Sequence, residues 1–173
     1  MTKLHELAEF GQAIWLDYIR RSFIEKGDLS DLVESGLRGV TSNPSIFEKA
    51  IAGSHDYDDA LRDLSDEGKS PQEIYEVLAI ADIQRAADDL RPVFDDTDGA
   101  DGYVSLEVSP DLAYETEGTI EEVRRLFEAV DRPNVMIKVP ATAEGIPAVE
   151  TLIGEGINVN VTLMFSLAHY ERV

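Results

Sequence analysis

The chain has 173 residues, no cysteine, and a net charge of −20 from 35 acidic and 15 basic side chains. That length suits a single domain, 1–173, with a real core, and 43% hydrophobic against 29% charged residues describes a globular chain rather than a disordered one. The composition excludes disulfides, thiolate catalysis and cysteine-based zinc sites, and it disfavours nucleic-acid binding because so acidic a surface repels phosphate backbones.

No apolar run approaches the ~20 residues of a membrane span. The N-terminal MTKLHELAEF carries acid early and lacks the apolar centre of a signal peptide, so a cytoplasmic location is expected. In chain order, AIWLD (13–17) reads as a strand, followed by helical stretches over 18–25 and 29–35, the second stopped by Gly36. RGVTS (38–42) is the next strand. Asn43-Pro44 then opens a helix, since asparagine caps and proline fits the first helical position. DYDDALRDLSDE reads as solvated surface.

The clearest helix covers 70–91: Ser70 caps, Pro71 follows, Glu73 completes a capping box, and Ile74, Val77, Leu78, Ala81, Ile83 and Ala87 recur at helical spacing. DDTDGADG (95–102) is a polar loop without the ligand order of a calcium loop. YVSLEVS (103–109) is the third strand, and Thr119 is expected to cap a helix with Glu121 and Glu122 in its first turn. VMIKVPA (135–141) is the fourth strand, 145–153 is helical, INVNVTL (157–163) is the fifth strand, and SLAHYERV begins another helix. Strand and helix alternate throughout, which predicts parallel β/α units.

Strand side chains alternate between two faces. Asp17 shares a face with Trp15, Thr41 aligns with Asn43, and Ser105 and Glu107 oppose Val104, Leu106 and Val108. Lys138 opposes Val135, Ile137 and Val139, while Asn158, Asn160 and Thr162 oppose Val159, Val161 and Leu163. Each strand thus has an apolar face for helices and a polar face near its C-terminal end, where a β/α barrel builds its active site. A doubly wound sheet would need both faces of its central strands apolar. Purely structural roles are also open: Asp17 could cap a helix, Glu107 could pair with Lys138, and the asparagines could serve loop backbone.

A lysine in a dry pocket can lose its proton and attack a ketone to form a Schiff base. Asp17 or Glu107 could accept a hydroxyl proton during carbon–carbon cleavage, and Asn43 and Asn160 could hold hydroxyls without titrating. The set suits aldol chemistry on a polyhydroxy ketone. No GxGxxG or Walker loop occurs, and His5, His55 and His169 lack metal-ligand spacing, so they read as surface or structural residues.

TSNPSIF (41–47), SLEV (105–108), IKVPAT (137–142) and NVNVTLMFS (158–166), with LDYI around Asp17, resemble transaldolase, the TSNPS wording being closest to its longer bacterial subclass. The resemblance implies a cofactor-free, metal-free class I enzyme of the pentose phosphate pathway on a parallel (β/α)8 TIM-type barrel. It would carry a dihydroxyacetone unit from sedoheptulose 7-phosphate to glyceraldehyde 3-phosphate. It implies Lys138 as Schiff-base lysine, Asp17 as acid/base, Glu107 and Thr162 as handlers of a catalytic water, and Asn43 and Asn160 as binders of donor hydroxyls. Barrels of this kind need ~200 residues or more. The chain is therefore expected to supply about five β/α units of an incomplete barrel, whose open edges invite self-association. The alternatives are a lysine aldolase cleaving fructose 6-phosphate and an inert half-barrel acting in assembly. Arg20, Arg21 and Arg38 read as surface or salt-bridged arginines, not as a phosphate site.

Overall fold

The computed structural model describes residues 2–173. The chain divides after Val104 into two compact units. In the first, α1 (Lys3–Ala8) precedes β1 (Trp15–Asp17), which is followed by α2 (Arg21–Glu25), α3 (Asp28–Glu34) and β2 (Gly39–Thr41). β1 and β2 pair in parallel, with Trp15 opposite Gly39 and Asp17 opposite Thr41. A Cβ on Gly39 would lie 2.3 Å from the Trp15 ring, so the indole lies across β2 where no side chain fits. Past β2 come α4 (Pro44–Ala52), α5 (Asp58–Asp66) and α6 (Pro71–Asp96).

Two caps read from the sequence, those of α4 and α6, are present. Asn43 Oδ1 accepts the Ile46 N–H at 2.9 Å, with Pro44 in the first position of α4. Ser70 and Glu73 form a reciprocal capping box on α6, the Ser70 N–H donating to Glu73 Oε2 at 2.8 Å. Ser70→Ala is expected to cost about 1 kcal/mol, read as a lower urea midpoint at unchanged slope.

Two helices are not evident from the sequence pattern. α1 is short, and α5 lies inside the acidic run DYDDALRDLSDE. There Ala60, Leu61 and Leu64 pack on a cluster of Ala50, Tyr57 and Leu78, so three apolar positions at helical spacing outweigh the charge around them. α6 also runs past Arg91 and through Pro92 to Asp96. Proline removes one helical hydrogen bond, while the Thr97 hydroxyl donates to the Val93 carbonyl at 2.7 Å and secures the last turn.

β3 (Tyr103–Glu107) begins in the first unit, where Gly102 donates to the Arg38 carbonyl at 2.8 Å, and ends in the second. The second unit continues with α7 (Thr116–Val130), β4 (Val135–Pro140), α8 (Gly145–Gly154), β5 (Val159–Thr162) and α9 (Leu167–Tyr170). Its strands lie in chain order, and β4 and β5 pair in parallel. Val135, Ile137 and Val139 are fully buried with Val123, Ala148 and Leu152 from α7 and α8. These are the parallel β/α units that a (β/α)8 barrel repeats.

Thr119 is not the cap of α7, contrary to expectation. The helix starts three residues earlier with Glu115 at its N-cap, and Glu117 is the acid of its first turn. The Thr119 hydroxyl donates to the Leu112 carbonyl and the Thr116 hydroxyl to the Glu144 carbonyl, so both serve loops outside the helix. Ile120, Val123, Leu126 and Val130 bury the inner face at spacings of three and four. Among the described residues no helix is long and apolar enough to cross a membrane.

Candidate active site

In the second unit the alternation along β4 decides where Lys138 goes. Val135, Ile137 and Val139 take the apolar face, so Lys138 projects from the other. Its side chain is 11% exposed, and its Nζ lies 3.3 Å from Glu107 Oε2 at the end of β3, itself 24% exposed. In the β4–β5 ladder Asn160 stands opposite Lys138 and Thr162 opposite Pro140. Asn160 Nδ2 donates to the Ser105 hydroxyl at 3.0 Å, and Ser105 is fully buried. Glu107, Lys138, Asn160 and Thr162 thus come from three strands to one polar face. Ser105 was visible on that face in the sequence, but nothing in its spacing marked it as the partner of Asn160.

The turn after β4 is held tightly. Thr142 Oγ1 donates to the Ala113 carbonyl at 2.6 Å and accepts the Gly145 N–H at 2.9 Å. A Cβ on Gly145 would lie 2.0 Å from the Pro140 carbonyl oxygen, so the chain can turn this close only with glycine there. The His169 ring donates from Nε2 to the Ala141 carbonyl, a structural role of the expected kind.

In the first unit Asp17 ends β1, exposed, on the wall of a cleft of about 350 Å³ shared with Tyr18, Arg20, Ile46, Lys49 and Ala50. Asn43 spends its side-chain oxygen on the α4 cap, and that bond leaves its amide N–H groups available to donate. The arginines are engaged as expected. Arg20 makes a two-pronged pair with Asp56 at 2.6 and 3.2 Å, and Arg38 donates to the Leu37 carbonyl. Arg21 is buried: its Nε donates to Asp82 Oδ1 at 2.9 Å and its guanidinium lies 4.5 Å from the centre of the Tyr57 ring. The Tyr57 hydroxyl donates to Asp82 Oδ2 at 2.8 Å. Burial pushes the Tyr57 phenol up, and it pushes the Asp82 carboxyl up against the opposing bonds from Tyr57 and Arg21.

Hydrogen bonds from the Arg20 guanidinium, and then from Ser22, hold the Asp56 carboxyl well below the usual carboxylate range. A depressed folded pKa adds stability that is present above the unfolded value and lost as pH falls through the folded one. The Asp56 carboxyl carbon should therefore keep its ionised NMR shift on acidification through ~pH 4, where ordinary carboxylates protonate. Protonation of Asp56 together with those groups would contradict the pairing.

The family model described as Transaldolase/Fructose-6-phosphate aldolase matches residues 14–173. The chain belongs to this family. Among relatives of this transaldolase-family chain, "Transaldolase" of Thermobifida fusca is 52% identical over 171 residues, covering 98% of the chain and 46% of that protein. "Transaldolase 2" of Nostoc punctiforme is 50% identical over 168 residues, covering 96% and 44%. "Transaldolase" of Neisseria gonorrhoeae is 49% identical over 168 residues, covering 97% and 48%. The chain spans about half the length of the curated relatives it matches. In this family member TSNPSIF lies across β2 and α4, SLEV at the end of β3, IKVPAT along β4 and NVNVTLMFS across β5.

Proposed function

We propose that this chain carries the Schiff-base chemistry of a transaldolase, moving a dihydroxyacetone unit from sedoheptulose 7-phosphate to glyceraldehyde 3-phosphate. The observation that carries the reading is Lys138: a largely buried amine on a strand, 3.3 Å from a carboxylate and in register with Asn160, in a chain of this family.

The Lys138 amine adds to the ketose carbonyl to give a carbinolamine, which loses water to become an iminium. Glu107 and Thr162 handle that water. Asp17 takes the proton of the C4 hydroxyl, the C3–C4 bond breaks, and its electron pair moves into the iminium to leave an enamine on Lys138. The shortened aldose departs. The enamine carbon then attacks the acceptor aldehyde, whose oxygen recovers a proton from Asp17, and water releases the product from the lysine. Asn43 and Asn160 hold donor hydroxyls. Sugar phosphates as substrates, the pentose phosphate pathway and a cytoplasmic location all go with this reading.

A coupled assay tests it. Consumption of sedoheptulose 7-phosphate that depends on glyceraldehyde 3-phosphate supports transfer. Equal aldehyde release without acceptor, from fructose 6-phosphate, would replace transfer by aldol cleavage. No turnover with either donor would overturn both.

A further inference from the structure

Asp17 stands at the end of a three-residue strand, and among the described residues no hydrogen bond holds its carboxylate. Its position therefore depends on the backbone that carries it, and the turn after β1 is anchored more heavily than a five-residue helix requires. Ile19 is in the core. Arg20, extended at the N-cap of α2, makes no side-chain cap bond. The first N–H groups of α2, which have no intrahelical partner, are met instead from the α4–α5 connection. Tyr57 Oη accepts the Arg21 N–H at 3.0 Å and Asp56 Oδ2 accepts the Ser22 N–H at 3.2 Å.

The side chains repeat the same connections. Arg20 grips Asp56 with two nitrogens, and Arg21 reaches Asp82 on α6, which also accepts the Tyr57 hydroxyl. Three consecutive residues, Arg20, Arg21 and Ser22, are thus tied through backbone or side chain to Asp56 and Tyr57, and Arg21 is tied to Asp82 as well. The turn between Asp17 and α2 cannot shift without breaking several charge-assisted bonds at once.

We propose that the segment joining α4 and α5 is a clamp on the turn after β1, with Asp56 a positioning residue for the Asp17 carboxylate. This rests on the reading of Asp17 as acid/base. Displacing such a group by about 1 Å can cost ~10²-fold in rate, which gives a reason for a cap supplied from 34 residues away.

The test is Asp56→Ala in the intact protein, with Asp56→Asn as the variant that keeps an acceptor. Arg85→Ala, which removes the exposed Arg85–Glu25 pair between α6 and α2, is the control. Asp56→Ala is expected to lower kcat by about 10–10²-fold, with KM for the ketose unchanged and the borohydride-trapped adduct at Lys138 retained. Asp56→Asn should recover much of the loss, and Arg85→Ala should show none. Amide exchange over residues 18–22 should speed up about tenfold in Asp56→Ala, well beyond the change at the other amides of the first unit, so that the loosening is local and exceeds what the accompanying loss of stability produces elsewhere. A kcat within twofold of an active wild type, or unchanged exchange, overturns the clamp and leaves the proposed reaction standing. A wild type that forms no adduct and turns over no ketose overturns the Asp17 reading and the positioning role with it.

Discussion

Lys138→Ala should abolish the borohydride-trapped adduct with a ketose phosphate and lower turnover by about 10³-fold or more, because no other group can replace a covalent nucleophile. Mass spectrometry of the reduced protein reads the adduct, and peptide mapping places it. The substitution also breaks the pair with Glu107, which keeps a quarter of its surface in water. Its cost in stability should thus stay below the ~3–5 kcal/mol seen when a wholly buried pair loses one partner. A folded Lys138→Ala protein that still forms the adduct would show that another amine does the chemistry. A folded protein that loses adduct and turnover together ties both to Lys138.

Asp82→Ala should be the most destabilising single change in the first unit, by about 3–5 kcal/mol. Asp82 is fully buried, and the Arg21 side chain it faces is 11% exposed. Alanine would leave a nearly buried guanidinium without its counter-charge and the Tyr57 hydroxyl without its acceptor, and both losses are expensive away from water. The double variant Arg21→Met with Asp82→Leu should recover much of the loss, since apolar side chains of similar volume often replace a buried pair without penalty. Urea unfolding of the two singles and the double gives the coupling. A loss below about 1 kcal/mol for Asp82→Ala would mean that water reaches Arg21 and that the network does not hold α2.

The elements that local chemistry can encode were legible in the sequence. A cap is written within a few residues, so Ser70 with Glu73 three positions on, and Asn43 with Pro44 next to it, announce α6 and α4. A buried strand needs alternation over six residues, so VMIKVP announces β4. Where an element draws on distant partners the local signal misleads. Thr119 resembles a cap but bonds the Leu112 carbonyl from inside α7. The acidic run around α5 hides three apolar residues that matter only because Ala50, Tyr57 and Leu78 meet them.

The candidate site divides along the same line. The sequence alone determined that Lys138 sits on a strand among apolar neighbours, with polar groups at the ends of the neighbouring strands, because a period of two is a property of consecutive residues. Only the tertiary structure decided that the Lys138 amine meets Glu107, that Asn160 meets Ser105 across 55 residues, and that Arg21 meets Asp82 across 61. Ion pairs and hydrogen bonds between distant residues depend on which strands and helices pack side by side, and that packing leaves no periodic trace in the chain.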